Sequence, residues 1–218
     1  MARPPNLDAP QRLLDAARDE FALHGVESAR IEDIARRAGF SKAAFYLYWS
    51  SKEQVFEALV TELFAAFRQA DDARDQDPLL QAAFRPDALR DPAARLQLRA
   101  LQVAHTAQML AVMWEKRRLL TFVLDEATGP RRVIVEQFVE LSRHALTAKL
   151  EDASRMGVIR EDTDLDLASD MIHGMFLQLG RRMTRMAAPP DFHHWAKLVE
   201  DFIDEGLRRR SPAPEPLC

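Results

Sequence analysis

The fold is decided by residues 25–53, which read GVESARIEDIARRAGFSKAAFYLYWSSKE. Four apolar residues in this stretch follow the i, i+3, i+4, i+7 spacing of a short amphipathic helix: Ile31, Ile34, Ala35 and Ala38. Gly39 predicts the end of that helix, because glycine adopts the left-handed backbone conformation without the steric cost of a Cβ atom.

A second, shorter helix is predicted directly after this glycine. Ser41 can cap its first turn through the side-chain oxygen, and the helix spans residues 42 to about 49. It is rich in aromatic residues and too short to be stable alone. Ser50 and Glu53 then stand three residues apart and predict a capping box at the start of a longer helix. Two helices joined by a glycine turn form a helix-turn-helix, whose second helix enters the major groove of DNA.

Positive charge is local to this region. Residues 36–52 contain no acidic residue and four basic ones: Arg36, Arg37, Lys42 and Lys52. The whole chain has 30 Lys and Arg against 34 Asp and Glu, so it is not a generally basic nucleic-acid coat protein. It would place a few cations against phosphates and rely on shape and base contacts for the rest. A plain helical core with a solvated basic face is the alternative, but the aromatic-rich short helix with lysine at both ends favours DNA binding.

In this region the chain resembles the TetR (tetracycline-repressor-like) family of bacterial regulators. The residues that carry the resemblance keep the family's order and spacing over residues 10–64: Phe21, Gly25, Ile31, Ile34, Ala35, Ala38, Gly39, Ser41, Tyr46, Lys52, Glu53 and Leu59. The resemblance implies an all-α fold with an N-terminal three-helix helix-turn-helix domain that binds DNA. It also implies a C-terminal helical bundle that binds an effector and forms a homodimer.

The resemblance assigns roles along the DNA-binding face. It places at the groove or its edge Lys42, Ala43, Ala44, Tyr46 and Leu47, and against phosphates Tyr48 and Lys52. Where the family often has a Thr or Ser that caps the second helix and touches phosphate, this chain has Ala29 and Arg30. Either Ser28 caps the helix instead or Arg30 supplies the phosphate contact. Leucine and alanine are weak base readers, so apolar contact with thymine methyl groups or recognition of DNA shape is expected.

The rest of the chain is predicted to be helical, since good helix formers are abundant and the alternation typical of strands is absent. Four segments are predicted: a flexible arm over residues 1–9, the DNA-binding domain over 10–50, the effector-binding and dimerisation domain over 51–210, and a disordered tail over 211–218. A helix over residues 51–68 is expected to connect the two domains. Further helices are predicted over about 92–114, 117–127, 131–156, 165–186 and 192–209.

Two sets of residues in the C-terminal half predict a dimer interface and a ligand site. The dimer interface is expected to use Met171, Met175, Leu179, Trp195, Leu198 and Phe202. Ligand sites form between the helices of a bundle, and the candidates for a small, apolar or aromatic effector are His105, Met109, Met113, Trp114, Phe122, Phe138, Leu141, His173, Phe176 and Gln178. Methionines and aromatics at this spacing also occur in plain core, and for the two histidines a satisfied core position is the alternative. Gly174 and Gly180 each cost about 1 kcal/mol inside a helix relative to alanine, which usually signals close backbone approach.

Other classes of function have little support in the sequence. The only cysteine is Cys218, so neither a disulfide framework nor a cysteine-based zinc site is expected. No Gly-rich phosphate loop, nucleophile motif or di-iron motif occurs, so no enzyme activity, cofactor or metal is expected. The chain begins without a secretory signal, and no apolar run approaches ~18 residues, so a cytoplasmic protein without a membrane span is expected.

These observations favour a ligand-responsive transcriptional regulator, a repressor that binds a palindromic double-stranded operator as a homodimer and is released by a small effector. The alternative is a helical DNA-binding protein without a small-molecule effector, controlled by a protein partner. A buried, mostly apolar cavity in the C-terminal domain would separate the two.

Overall fold

The computed structural model describes residues 8–83, 91–126 and 131–207, and the regular structure in these ranges is helical. Ten helices follow one another there: α1 (Ala9–Ser28), α2 (Ile31–Ala38), α3 (Lys42–Phe45), α4 (Lys52–Asp75), α5 (Pro78–Ala83), α6 (Pro92–Glu115), α7 (Arg117–Glu126), α8 (Arg132–Arg155), α9 (Leu165–Thr184) and α10 (Phe192–Leu207). The predicted all-α fold is therefore confirmed. None of the helices in the described ranges is long and apolar enough to cross a bilayer.

Several helix ends differ from the sequence prediction, three of them with an identifiable feature of the structure. Helix α1 begins at Ala9, whose side chain is fully buried, so the last residue of the predicted arm is helical. Helix α3 ends at Phe45, because the Phe45 carbonyl accepts hydrogen bonds of 3.0 Å from both residue 48 and residue 49 in a turn. Helix α4 continues past residue 68 to Asp75, since no glycine or proline interrupts it. Most of the predicted arm, the predicted tail and the predicted ends near 127 and 209 lie outside the described residues.

Helix α2 ends just before Gly39, a glycine with a left-handed backbone conformation. Gly39 has a φ of 79°, the left-handed conformation that the sequence predicts for this position. A Cβ atom there would lie 2.9 Å from the Arg12 guanidinium, which itself donates a 2.7 Å hydrogen bond to the carbonyl of Ala38. The position therefore favours glycine because of its left-handed backbone conformation, and Arg12 supplies a partner for the end of α2.

The described residues form two compact units, and the first lies within Met1–Arg68, Met113–Phe138 and Gly180–Arg185. Its fully buried side chains include Leu13, Phe21, Ile34, Phe45, Phe56, Leu59, Leu63 and Leu119. The ring of Phe122 lies edge-on to Phe21 at 5.8 Å between centroids and tilted to Phe56 at 6.2 Å. Gly180 allows a close approach, because a Cβ atom there would meet a methyl carbon of Leu120 at 2.8 Å. The predicted domain boundary after residue 50 falls inside this unit.

The second unit lies within Gln69–Val112, Val139–Leu179 and Met186–Cys218. Its described part contains two clusters of buried apolar residues: Leu150, Ala153, Ile159 and Ala168, and separately Leu80, Ala83 and Leu98. Polar contacts join its helices as well. The Arg99 guanidinium donates a 3.0 Å hydrogen bond to the carbonyl of Glu200, and the Glu200 carboxylate accepts one of 2.5 Å from the Thr106 hydroxyl. These contacts link α6 to α10.

Candidate nucleic-acid interface

Helices α2 and α3, with the turn between them, have the order and spacing of a helix-turn-helix. The Ser41 hydroxyl oxygen accepts a 3.1 Å hydrogen bond from the backbone N–H of Ala44, so the predicted cap of α3 is confirmed. The side chain of Phe45 is fully buried. A helix of four residues is thus held by a cap at its start and an aromatic anchor at its end.

The residues predicted to face DNA differ in exposure. Four of them are exposed: Lys42, Ala43, Tyr46 and Leu47. Two are half-buried: Ala44 and Tyr48. Leu47 is 78% exposed, and Tyr46 is 49% exposed with its ring edge-on to that of Phe45. These side chains offer apolar and aromatic surface to a partner, and their contact with DNA stays a prediction.

The start of α2 settles one alternative left by the sequence. Arg30 occupies the N-cap position of α2, and no side chain accepts a capping hydrogen bond there. The hypothesis that Ser28 caps this helix is therefore wrong. The extended backbone at Ala29 and Arg30 leads directly into the helix and leaves Ser28 at the end of α1. Arg30 is exposed, and its side chain has no hydrogen bond or ion pair among the described residues. It is therefore available for a phosphate.

The start of α4 is capped one residue later than the sequence pattern predicts. The Ser51 hydroxyl oxygen accepts a 3.2 Å hydrogen bond from the N–H of Gln54, and the Gln54 side-chain oxygen accepts one of 2.7 Å from the N–H of Ser50. The predicted box of Ser50 and Glu53 is wrong, because the helix begins at residue 52 and places serine 51 before its first turn.

Lys52 supports the helix-turn-helix from within the first unit. Its ammonium donates hydrogen bonds of 2.8 Å to the carbonyl of Glu27 and 3.1 Å to that of Ala29. These carbonyls lie at the end of α1 and in the short connection to α2. The sequence indicated only a phosphate contact for Lys52, which stays a prediction, and missed this role because the partners are more than 20 residues away.

An ion pair joins the first turns of α2 and α3. The Lys42 ammonium lies 2.5 Å from a Glu32 carboxylate oxygen, and both side chains are about half exposed. The hydrogen bond to Lys42 lowers the pKa of Glu32, and the same contact raises the pKa of Lys42. The lysine that opens the predicted reading helix is therefore paired with an acid in the unbound chain.

Arg131, immediately before α8, ties that point of the chain to the helix-turn-helix. Its side chain is only 7% exposed, and one guanidinium nitrogen lies 3.2 Å from carboxylate oxygens of both Glu27 and Glu53. The guanidinium also lies 5.9 Å from the ring centroid of Phe56. Backbone hydrogen bonding and this guanidinium lower the pKa of Glu53. One cation thus joins the end of α1, the start of α4 and the start of α8.

Four of the predicted ligand-binding residues lie in the first unit: Met113, Trp114, Phe122 and Phe138. Phe122 belongs to the aromatic core described above. Phe138 stacks on Phe64 at 5.0 Å between centroids, and the indole of Trp114 lies 4.1 Å from the guanidinium of Arg117. Each of these three aromatic rings has a partner inside the unit, which is what core packing alone would produce.

The other six predicted ligand-binding residues lie in the second unit: His105, Met109, Leu141, His173, Phe176 and Gln178. The His105 imidazole lies 2.8 Å from a carboxylate oxygen of Asp77, so it has a polar partner. Burial lowers the pKa of His173. Leu141 is 65% exposed, and Gln178 is also exposed. Ligand binding by the ten residues stays a prediction.

The predicted dimer residues lie on α9 and α10 of the second unit. Three of them are among its exposed large apolar side chains: Met171 at 58%, Leu198 at 55% and Phe202 at 65%. Three are half-buried: Met175, Leu179 and Trp195. Gly174 is exposed, and a Cβ atom there would meet no described atom within 4 Å. Packing within the described chain does not explain this helical glycine.

The helix-turn-helix region matches a known family of proteins. Residues 13–59, from α1 into α4, match the family described as bacterial regulatory proteins, tetR family. The DNA-binding part of the chain is a TetR-family domain. This TetR-family regulator is 25% identical over 173 residues to the HTH-type transcriptional regulator YdgC of Bacillus subtilis, an alignment that covers 79% of this chain and 80% of YdgC. The predicted family resemblance is therefore confirmed.

Solved structures of other regulators share the fold of this TetR-family chain. The complex of SmeT with triclosan has a TM-score of 0.68 and 24% identity, covering 96% of this chain and 99% of SmeT. SmeT is the repressor of the Stenotrophomonas maltophilia multidrug efflux pump SmeDEF. FadR of Bacillus subtilis in complex with stearoyl-CoA has a TM-score of 0.66 and 15% identity, covering 90% of this chain and 98% of FadR. These proteins are transcriptional regulators and not enzymes.

Proposed function

We propose that this TetR-family regulator represses transcription by binding a palindromic DNA operator as a homodimer, and that a small apolar or aromatic effector releases it. The observation that carries the proposal is the exposed surface of α3 and the turn after it, with Lys42, Tyr46 and Leu47 outward and Phe45 buried behind them. A helix-turn-helix places the first residues of its second helix against base edges. Arg30, exposed and without a side-chain hydrogen bond or ion pair among the described residues, adds a cation at the start of α2.

Variants of Lys42 and Lys52 can distinguish a residue that only contacts DNA from one that also supports the fold. Lys42→Met should weaken binding to every duplex and reduce the slope of log affinity against log salt by about one unit, as loss of one phosphate contact does. Its melting temperature should not change, because the side chain is half exposed. Lys52→Met should lower both DNA affinity and melting temperature, because it removes the two hydrogen bonds from the Lys52 ammonium to the carbonyls of Glu27 and Ala29.

Fluorescence anisotropy on a duplex selected from random DNA, at about 50 to 200 mM salt, measures the slope, and thermal unfolding measures stability. Arg95→Met is the matched control, because this exposed arginine on α6 also removes one positive charge but lies in the second unit. An unchanged salt slope in Lys42→Met would contradict the assignment of Lys42.

A homodimer is proposed because one α3 reads only a half-site. Its proposed surface is the exposed apolar face of α9 and α10, which includes Met171, Leu198 and Phe202. Gly174 supports a second copy as the occupant of this face. A helical glycine costs about 1 kcal/mol relative to alanine, and close approach of another helix would explain its presence.

An apolar effector is proposed from the chemistry of the candidate residues and from two relatives. SmeT was solved with triclosan and FadR with stearoyl-CoA, both of which carry large apolar groups. The candidates in this chain are likewise mostly methionine and aromatic side chains. A ligand acts only through its different affinity for two arrangements, and a coupling of about 1–3 kcal/mol changes operator affinity by roughly 5–150-fold.

The test is a thermal-shift screen of apolar and aromatic compounds that includes triclosan and stearoyl-CoA. A binding compound at about 100 times its Kd should stabilise the protein by about 2.7 kcal/mol. The same compound should then lower operator affinity within the range given above, measured by anisotropy. Failure of every compound to stabilise the protein or to release DNA would favour the alternative, in which a protein partner controls a regulator without an effector.

A further inference from the structure

An acidic residue stands on the face of the helix-turn-helix that is proposed to meet DNA. Glu32 is the second residue of α2, and its side chain is 54% exposed. Its carboxylate reaches from α2 to the ammonium of Lys42, the first residue of α3 and the only cation within that helix. The pair therefore links the two helices at the ends that a helix-turn-helix presents to the DNA backbone and groove.

The contact is strong enough to occupy Lys42 but weak enough to be exchanged for DNA. Exposed ion pairs change an equilibrium by a factor of about five at most, because water and salt screen them. A phosphate oxygen competes with the Glu32 carboxylate for the same ammonium. Whichever contact forms, the carboxylate remains near a polyanion and repels it. Both effects oppose DNA binding without any dependence on base sequence.

Other acids near the helix-turn-helix are held differently. Asp33 pairs with Arg36 on the same helix, three residues away. Glu20 is buried and accepts a 2.7 Å hydrogen bond from the side chain of Arg37. In the described part of the chain, Glu32 is the acid whose ion pair occupies a cation of α3. The arrangement is specific to one position rather than a general property of the surface.

We propose that Glu32 limits the affinity of this regulator for DNA by competing with phosphate for Lys42. The inference rests on the proposed DNA-binding function. Its consequence is that Glu32 lowers binding to operator and to random duplex by the same factor, because a phosphate contact carries no sequence information. Glu32 is thus an affinity-setting residue that restrains non-specific binding and does not itself read bases.

The experiment compares Glu32→Gln, Lys42→Met and the double variant with the wild-type chain. Glu32→Gln should bind both the selected operator and a random duplex roughly fivefold more tightly at about 0.1 M salt, with an unchanged salt slope, because Lys42 contacts one phosphate in either chain. The gain should be smaller in the Lys42→Met background, where only the direct repulsion between the Glu32 carboxylate and phosphate is removed. Glu57→Gln is the matched control, because this exposed acid of the same unit has no ion pair among the described residues; its affinity for both duplexes should equal that of the wild type.

The outcomes distinguish this inference from the proposed function. Equal affinity of Glu32→Gln and a DNA-binding wild-type chain would overturn the role of Glu32 while leaving DNA binding in place. A full gain that persists in the double variant would also overturn it, since the effect would then not pass through Lys42. Failure of the wild-type chain and every variant to bind any duplex would overturn both proposals. Equal melting temperatures of the variants, expected for exposed side chains, establish that folding is not the cause.

Discussion

Replacement of Phe122 by alanine is expected to destabilise the first unit by about 3–5 kcal/mol, the usual cost of truncating a buried aromatic ring. The side chain is 2% exposed. Its ring touches that of Phe21 on α1 and that of Phe56 on α4, so truncation opens a cavity among three helices. The measurement is thermal or denaturant unfolding, and the variant should melt well below the wild-type chain.

Two companion variants sharpen this result. Phe122→Leu keeps most of the buried volume and should lose much less stability. Leu23→Ala truncates an exposed side chain on α1, at 64% exposure, and should leave stability nearly unchanged. If Phe122→Ala instead kept wild-type stability but no longer released DNA with an effector, the core role of Phe122 would be wrong and the predicted ligand role would gain support.

Replacement of Phe202 by glutamate is expected to convert the proposed dimer into monomers. Phe202 and Leu198 are one helical turn apart on α10, and both are more than half exposed in the single chain. A charge buried between two copies would lose its water without gaining a partner. Operator affinity should then fall by about 100-fold or more, because the two half-sites would no longer be bound by one particle.

Light scattering coupled to size-exclusion chromatography measures the mass of the particle. Leu96→Glu, at a residue 72% exposed on α6, is the control that introduces the same charge on another helix and should remain dimeric. The melting of the Phe202→Glu monomer should still be cooperative, because its own fold leaves that side chain at the surface. A wild-type chain that is monomeric at micromolar concentration would refute both the dimer and the half-site argument.

The local features of the helix-turn-helix could be predicted from sequence because their causes lie within a few residues. The left-handed Gly39 ends α2 as predicted, and Ser41 caps α3 three residues before its bonding partner. The all-helical fold follows in the same way from helix formers and spaced breakers. The structure places these features where the sequence pattern does, since each depends on the side chain or flexibility of the residue itself.

Features that depend on distant partners could not be predicted. The cap of α4 is formed by Ser51 with Gln54, one residue after the pair of Ser50 and Glu53 that the sequence pattern predicted. Glu53 is instead engaged by Arg131, 78 residues along the chain. The contact of Glu32 with Lys42 was missed for the same reason. Apolar spacing likewise could not separate a core ring such as Phe122 from a ligand-lining one, because both follow the same helical period.

The exposure of the partners of Arg131 has a consequence for equilibrium measurements on this regulator. The guanidinium is buried, but the carboxylates of Glu27 and Glu53 are 80% and 57% exposed. Added electrolyte therefore weakens this internal junction as well as the protein–phosphate contacts. Where this junction holds the binding arrangement, the ionic-strength dependence of operator binding contains a contribution from the protein's own ion pairs, and a count of neutralised phosphates taken from one slope would be too high. Variants that keep Arg131, Glu27 and Glu53 share this contribution. The difference between their salt slopes therefore reports the contacts with DNA alone.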